Sequence, residues 1–286
     1  MMQNSLHDAV HDWHRSVVSY LAFNNPSKLA EYALHLARII AYPELDVIDE
    51  ISKIDNIGRI IIQSNKEISN TRPTQIIAAM NNQLYKIENF KGNKDDYYNP
   101  SNSFLNIVLK RKLGIPITLS ILYIRIAQLL KFELHPINFP SHFLVKHVLD
   151  GENNDIIIDP YNEGRIMDDY SLKQLLDQTY PKLDVPLTRN FVEKSSDARV
   201  IIRMLNNLKS SYFECNDIGN AELVNEMALK IDKNEQYGIR DRGMISFKRN
   251  KNQEALSHFN QYIEKFPEAE DIDMILDIIR KIRRKN

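Results

Sequence analysis

Residues 114–160 constrain the fold of this chain more than any other part of the sequence. They open with Gly-Ile-Pro, continue as a long apolar run that is interrupted by Arg125, and end in two short runs that are β-branched or alternating. Proline suits the first position of a helix, because the N–H that it lacks would have no partner there. The sequence therefore predicts a buried helix that begins near Pro116 and is followed by two paired strands.

The two predicted strands carry a histidine and an aspartate. Asp150-Gly151 lies between them and is a strong signal for a two-residue hairpin turn. A hairpin with that turn places His142 directly opposite Asp159, with Cβ atoms about 5 Å apart on one face of the sheet. An aspartate in this position fixes the tautomer of a histidine and makes it a better base, as in a catalytic triad. The alternative is a structural pair without a chemical role.

Helical periodicity dominates the first third of the chain. Apolar residues recur at spacings of three and four near the N-terminus, namely Leu6, Val10, Trp13, Val17 and Leu21. Three histidines lie beside this stripe, namely His7, His11 and His14. Their spacing could bring them together on a metal ion, but such residues on a half-exposed helix are usually solvated, so we expect neither a metal nor another cofactor. The first third is predicted to be a helical layer.

The balance of charged residues limits the classes of partner that this protein is expected to bind. The chain has 37 basic and 38 acidic residues among 286, so no overall charge attracts it to nucleic acid or to a membrane. The basic cluster at residues 280–285 is best explained by cations at the end of a helix, where they oppose the helix dipole. A single cysteine, Cys215, and the polar N-terminus fit a cytoplasmic protein without disulfides or a membrane span.

The C-terminal third contains an internal repeat, with a period of about 34 residues that is typical of tetratricopeptide units. Lys209 and Gly243 are separated by one period, as are Ala221 and Ala255. The second copy carries four positions of the tetratricopeptide pattern, namely Gly243, Ala255, Phe259 and Pro267. We therefore predict two helix pairs and a closing helix at residues 272–282. Such modules suit binding of a protein or peptide partner; alternatively, the repeats only pack on the first domain.

Three motifs resemble the transglutaminase-like superfamily. GIPITLS is similar to its Gly-x-Cys helix start, SHFLVKH to its Gly-His-aromatic strand, and IIIDP to its Val-Asp-Pro strand. More narrowly, NSFLNIVLKRKLGIPITLSILY, FPSHFLVK and IDPYNEG resemble the bacterial SirB family, in which a transglutaminase-like domain precedes tetratricopeptide repeats. The resemblance implies an α+β fold. A helical layer and a papain-like core of helix and antiparallel sheet would occupy residues 1–186, and an all-α repeat module residues 187–286.

The resemblance also assigns the catalytic positions. His142 and Asp159 fall on the histidine and aspartate of the family, but the cysteine position falls on Pro116, which has no nucleophile. Loss of a triad nucleophile lowers turnover by about 10⁶-fold where it has been measured. Ser120 follows on the same face of the helix but about 6 Å further along it, so it is a weak substitute. Cys215 lies in the repeat region, where a buried free cysteine is commonly a small apolar residue.

Two hypotheses follow for the function. The missing nucleophile favours a non-catalytic, protein-binding or regulatory descendant of the fold. The alternative is a hydrolase or acyl-transfer enzyme that acts on peptide or amide bonds without a cysteine. In that enzyme, His142 would activate water and N–H groups near the helix start at residues 115–117 would stabilise an oxyanion.

Overall fold

A computed structural model describes residues 6–23, 25, 28–149 and 155–284 of the chain. Its contacts divide the chain into two compact units. The first comprises Met1–Val18 and Leu205–Asn286, and the second comprises Ser19–Met204. We call them the helical unit and the mixed unit. Helices and an antiparallel sheet occur together, which confirms the predicted α+β class.

The mixed unit is built largely from helices that precede and follow a small sheet. Its helices are α2 (Ser19–Leu21), α3 (Leu29–Ile40), α4 (Val47–Ser64), α5 (Pro73–Asn81), α6 (Leu105–Arg111), α7 (Pro116–Leu129), α8 (Asp169–Thr179) and the first part of α9 (Asp197–Glu214). Asp46 begins α4 by accepting hydrogen bonds from the N–H groups of Ile48 and Asp49. The apolar run at residues 57–62, which could be strand or helix from its sequence, lies within α4.

Six short strands are present in the mixed unit among the described residues. They are β1 (Lys91–Gly92), β2 (Leu113–Gly114), β3 (His135–Ile137), β4 (Leu144–His147), β5 (Ile156–Asp159) and β6 (Arg165–Met167). The strands β1 and β2 form a parallel pair. The other four form an antiparallel sheet in chain order. Helix α8 packs on one face of this sheet through Leu172 and Leu176.

Helix α7 is the centre of the mixed unit, and the prediction that it begins at Pro116 is confirmed. It is apolar around its whole circumference, so it must be enclosed by other elements. It packs against helices α3, α4, α5 and α6, against β3 and β4, and against the 3₁₀ turn Pro160–Asn162. Its charged residue, Arg125, donates two hydrogen bonds to the carboxylate of Asp55 on α4, each 2.8 Å long.

The helical unit begins with α1 (Leu6–Trp13), which continues through a π-helical turn at His14–Val18. The remaining helices are the end of α9, α10 (Ile218–Ile231), α11 (Gln236–Lys248), α12 (Asn252–Lys265) and α13 (Ile272–Arg283). Trp13 is fully buried, and its indole N–H donates to the carbonyl of Met227 on α10. The predicted closing helix at residues 272–282 corresponds to α13.

The compact units do not coincide with the predicted division at residues 186 and 187, because Met1–Val18 groups with the C-terminal helices and the later boundary lies inside α9. The two sequence domains therefore stay a prediction. Cys215 is exposed rather than buried, because α9 ends at Glu214 and the chain turns before α10. Among the described residues, no helix combines the length and apolarity that a membrane span needs.

A buried polar network connects the helices of the helical unit. Lys209 on α9 is 3% exposed, and its ammonium lies 2.7 Å from the carboxylate of Asp241 on α11. The same ammonium donates to the amide oxygen of Asn225 on α10. Asp241 also accepts from Arg240, which in turn binds Asp271 at the start of α13. A buried charge is tolerated only when it is paired and hydrogen-bonded, so this network links four helices.

We predict that the two partners of the buried ion pair contribute unequally to stability. Asp241→Asn leaves the Lys209 ammonium buried without a carboxylate and should lower the free energy of unfolding by about 3–5 kcal/mol. Lys209→Met should cost less, because Asp241 keeps Arg240 as a partner. Urea unfolding of the full chain measures both values. An equal loss in the two variants would contradict the proposed pairing.

Candidate functional site

His142 is presented by a tight turn just before β4. Ser141 has a φ of 50°, which is the left-handed region, and the N–H of His142 donates to the carbonyl of Phe139. The imidazole is 11% exposed, and its edge meets the ring of Tyr161 at a centroid distance of 5.8 Å. The histidine side chain is therefore held on two sides and reaches solvent through a small part of its surface.

Asp159 ends β5 and lies against His142. Its Oδ2 is 2.9 Å from the Nε2 of His142, although the ring N–H is not aligned well enough to form a regular hydrogen bond. The carboxylate is 1% exposed. Burial acts to raise the pKa of Asp159, but the imidazole and Asn162 outweigh burial and hold the pKa below its ordinary value. The structure thus brings together the two residues that the sequence paired.

The same carboxylate caps the turn that follows β5. Its Oδ1 accepts from the N–H groups of Tyr161 and Asn162 at 3.0 and 3.3 Å, and its Oδ2 accepts from the side chain of Asn162 at 2.7 Å. Aspartate is a favoured residue at such a position, because its oxygens satisfy N–H groups that have no partner within the turn. Asp159 therefore has a structural task that is independent of His142.

The strand register differs from the predicted one. In the structure Val145 pairs with Ile158 and His147 with Ile156, so continuation of the ladder would place His142 opposite Tyr161 instead of Asp159. The predicted turn, Asp150-Gly151, lies outside the described residues. The observed register is shifted by two residues, and a shift of two preserves the face on which each side chain lies. His142 and Asp159 consequently meet as diagonal neighbours rather than as an opposed pair.

Pro116 occupies the first position of α7 and is buried. The neighbouring N–H groups are partly used. The N–H of Ile115 donates to the hydroxyl of Thr118, and that hydroxyl contacts the carbonyl of Asn102 at 3.0 Å. Since Pro116 has no N–H, neither of these two positions can donate to an oxyanion. The side chains that line the helix start are fully or almost fully buried.

Ser120 is the substitute nucleophile suggested by the sequence. It lies inside α7 with no exposed surface, and its hydroxyl has no hydrogen-bond partner in the described part of the chain. A serine needs an adjacent base to become a nucleophile. Its hydroxyl makes no hydrogen bond to His142, so the structure provides no activated serine at this position.

Two tyrosines and an asparagine hold the turn after Asp159 against the helices. The hydroxyl of Tyr85 donates to the carbonyl of Pro160 at 2.7 Å. Asn81 links the hydroxyl of Tyr123 on α7 to the carbonyl of Gly164. Gly164 has a φ of 69°, and a Cβ at this position would overlap with the side chain of Asn81. These contacts fix the position of the Asp159 turn relative to α7.

Sequence reasoning missed two further residues of the site. A Cβ at Gly92 would overlap with the ring of Tyr161, the residue that packs on His142. Arg203 on α9 donates to the carbonyl of Phe139, within the turn that presents His142, and lies over the ring of Phe143. Neither residue carries a local motif, because each acts through a contact that is distant in sequence.

No metal centre accompanies the histidine and aspartate in the described residues. They contain no group of three or more His, Cys, Asp or Glu side chains that could hold a metal ion. Two surface clefts of the mixed unit, one between α3 and α4 and one between α4 and α6, do not have His142 or Asp159 in their lining. Asp159 can orient the imidazole of His142, but protein encloses both side chains on most sides.

Comparisons with known proteins cover most of the chain. A family model for the transglutaminase-like superfamily matches residues 52–206, which contain α7, His142 and Asp159. A protein of Xylella fastidiosa named UPF0162 protein is 31% identical over 258 residues, which are 86% of this chain and 87% of that protein. A UPF0162 protein of Buchnera aphidicola is 29% identical over 244 residues, which are 85% and 88% of the two chains.

A shorter similarity extends to a human protein. F-box only protein 21 of Homo sapiens is 33% identical over 146 residues, which are 43% of this chain and 23% of the human protein. No solved structure matches the chain significantly.

We predict that Asp159 makes the stability of the protein dependent on acid pH. Because its pKa in the folded state is lowered from 3.8, its contribution is present above about pH 4 and is lost as the pH falls through the folded-state pKa. Asp159→Asn should lower the free energy of unfolding by about 1–3 kcal/mol at pH 7. The difference from wild type should shrink below pH 4, as measured by urea unfolding at several pH values.

A second variant checks the cause of this pH dependence. Asn162→Ala removes one hydrogen-bond donor to the Asp159 carboxylate and should therefore raise the pKa of Asp159. The loss of stability in acid should then begin at a higher pH than in the wild-type protein. If Asp159→Asn destabilises the protein by the same amount at every pH, the carboxylate is not the titrating group.

Proposed function

Because this chain belongs to the transglutaminase-like superfamily, we propose that it is a non-catalytic member of that superfamily with a protein-binding or regulatory role. More narrowly, we place it in the SirB family, with tetratricopeptide repeats in its C-terminal third. The family supplies a scaffold of helix and antiparallel sheet in which a nucleophile would stand at the start of α7.

The observation that carries this proposal is the residue at that helix start. Pro116 begins α7 as a buried residue without a nucleophilic group, and the hydroxyl of Ser120 one turn later is enclosed in the core. The N–H of Ile115, which could have stabilised an oxyanion, is bound to Thr118 instead. A nucleophile and oxyanion donors both contribute to acyl transfer. The missing nucleophile, together with the loss of Ile115 and Pro116 as oxyanion donors, favours a role other than thiol chemistry.

The packing of α11 and α12 supports the assignment of repeats. Gly243 lies against the fully buried ring of Phe259, so closely that a Cβ on the glycine would overlap with the ring. Ala255 is fully buried on the same helix as Phe259. A small residue opposite a large one lets two antiparallel helices approach closely, as in a tetratricopeptide unit. Pairs of helices of this kind form surfaces that bind peptides or helices of partner proteins.

A hydrolase that acts on peptide or amide bonds is the second candidate function. The 2.9 Å contact between His142 and Asp159 favours it, because an oriented imidazole can act as a general base on water. Against it stand the small exposed fraction of the imidazole and the structural use of Asp159 as a cap. We therefore rank it below the binding function.

The first experiment asks whether the protein hydrolyses amides. We expect purified wild type to show no turnover of fluorogenic peptide amides above the buffer rate, and His142→Ala to give the same result. The physical reason is the missing nucleophile, which costs about 10⁶-fold where measured. Wild-type turnover that falls by about 100-fold or more in His142→Ala would establish the hydrolase instead, since a positioned general base contributes about 10²–10⁴-fold.

The second experiment tests binding through the helical unit. Deletion of residues 205–286 alone is unsuitable, because α1 packs on α10 through Trp13 and would lose its partner. Two exposed tyrosines provide a matched comparison in the full chain, Tyr237 on α11 and Tyr170 on α8, with exposed fractions of 51% and 71%. Affinity capture from extract, quantified by mass spectrometry, compares Tyr237→Ala with Tyr170→Ala.

We expect wild type, His142→Ala and Tyr170→Ala to retain the same partner proteins. Tyr237→Ala should lower their recovery by about tenfold, because truncation of an aromatic residue at the centre of an interface typically costs about 2 kcal/mol or more. Equal recovery with both tyrosine variants would contradict binding through this face of α11.

A further inference from the structure

A cleft in the mixed unit lies apart from the His142 site. Helix α4 contributes Lys53, Asn56 and Arg59, whose three-residue spacing places them on one face of the helix. Helix α6 contributes Asn106 and Lys110, which are four residues apart and share a face in the same way. The two faces meet across an open groove. Its lining also includes two acidic side chains and apolar side chains such as Ile107.

The charges in this groove are unequally compensated. Lys53 lies 2.7 Å from Glu50, and Lys112 lies 2.7 Å from Glu88, so both lysines are neutralised by acids that also line the groove. Within the described residues, neither Arg59 nor Lys110 forms an ion pair or a side-chain hydrogen bond. Both are exposed. The groove thus offers two uncompensated positive charges, one from each helix.

Asn106 lines the same groove and is incompletely satisfied. The residue is 9% exposed, and its amide oxygen, which has almost no exposed surface, has no hydrogen-bond partner among the described residues. Leaving a buried amide oxygen without a partner is unfavourable, whereas an apolar residue of similar size at the same place carries no such cost. The amide nitrogen is the part of this side chain that a ligand in the groove can reach, and it too makes no hydrogen bond among the described residues.

We propose that this groove binds an acidic peptide segment of a partner protein. Arg59 and Lys110 would each pair with a carboxylate of the peptide, and Asn106 would bind its main chain. The side-chain nitrogen of asparagine donates hydrogen bonds and a peptide carbonyl accepts them, so the two groups are complementary. The apolar part of the lining accommodates the side chains that lie between the acidic residues.

The charge pattern argues against a polyanion as the ligand. Nucleic acids are bound through many phosphate contacts, each made by a cation that is free to make it. Here two cations are free among the described residues of the lining, and Glu50 and Glu88 would repel further phosphates. A peptide with spaced carboxylates fits two separated positive charges. This site goes beyond the proposed function, which concerns the helical unit, and neither depends on the other.

The test uses fluorescence anisotropy with a fluorescein-labelled, end-blocked peptide of alternating Glu and Leu. Wild type should bind this peptide, and the version with Gln in place of Glu should bind at least about tenfold more weakly. Arg59→Glu/Lys110→Glu should also weaken binding about tenfold or more. The matched control is Lys66→Glu/Lys182→Glu, which makes the same change in net charge at exposed positions outside the groove. It should bind within about twofold of wild type at about 150 mM salt.

A third variant tests Asn106. Asn106→Leu should weaken peptide binding about fivefold or more without lowering the melting temperature, because the amide oxygen has no partner in the unbound protein among the described residues. Circular dichroism checks that all variants are folded, and His142→Ala should bind like wild type.

Four results would overturn the proposal. They are no binding by wild type, equal weakening in both charge-reversal variants, unchanged binding in Asn106→Leu, and displacement of the peptide by an equal concentration of inorganic phosphate. The last result would identify a small-anion site instead. Loss or retention of partner capture through Tyr237 does not affect these outcomes, so the two proposals fail separately.

Discussion

The mixed unit depends on the enclosure of α7. Eleven of its 14 residues are buried, on every side of the helix. Burial of a large aliphatic side chain contributes about 1.5–3 kcal/mol, so this one helix supplies a large part of the hydrophobic stabilisation of its unit. An all-round apolar helix has no solvent-facing side, which is why helices, sheet and the turn after Asp159 all pack on it. The position of its first residue is therefore fixed by the whole unit.

This enclosure bears directly on the chemistry. A proline at the first position of α7 sacrifices no hydrogen bond and favours the helical φ, so Pro116 stabilises the scaffold at the place where an enzyme would need a thiol. Asp159 likewise has a structural role. Its carboxylate holds the turn that packs on α7 and also contacts His142. The His–Asp pair thus has a use in the folded protein that does not require catalysis, and its presence is weak support for an enzyme.

Local patterns predicted the elements of this region well, whereas their pairing was only partly predictable. The start of α7, the strand that follows His142 and the strand that ends at Asp159 follow from proline placement and from β-branched runs. The register depends on where the connecting turn is centred, and the Asp150-Gly151 signal centred it one residue earlier than the pairing of Val145 with Ile158 does. The contact between His142 and Asp159 was nevertheless anticipated, because side-chain direction repeats every two residues and the error was two.

The spacing of apolar residues could not predict contacts between parts of the chain that are distant in the sequence. The apolar stripe correctly predicted burial of Trp13 and Val17, whereas Leu6 at its start is exposed, and the pattern says nothing about what covers the buried part. In the structure that part belongs with α10, which lies in the C-terminal third of the chain. The same limit applies to Arg203 and Gly92, which act on the His142 site through contacts across the fold.

Two pairs of residues that are separated by the repeat period make different kinds of contact in the helical unit. Lys209 and Asn225 stand one period before Gly243 and Phe259, so the two pairs would be equivalent in the proposed repeat. In the second pair a glycine makes room for a buried ring, whereas in the first a buried ammonium donates to a buried amide. The contact between Gly243 and Phe259 needs no residue outside its own helix pair. The ammonium of Lys209, in contrast, needs the carboxylate of Asp241 on α11, which belongs to the other pair. We infer that the first helix pair needs the second beside it in a fixed register, because only that arrangement neutralises the buried charge of Lys209.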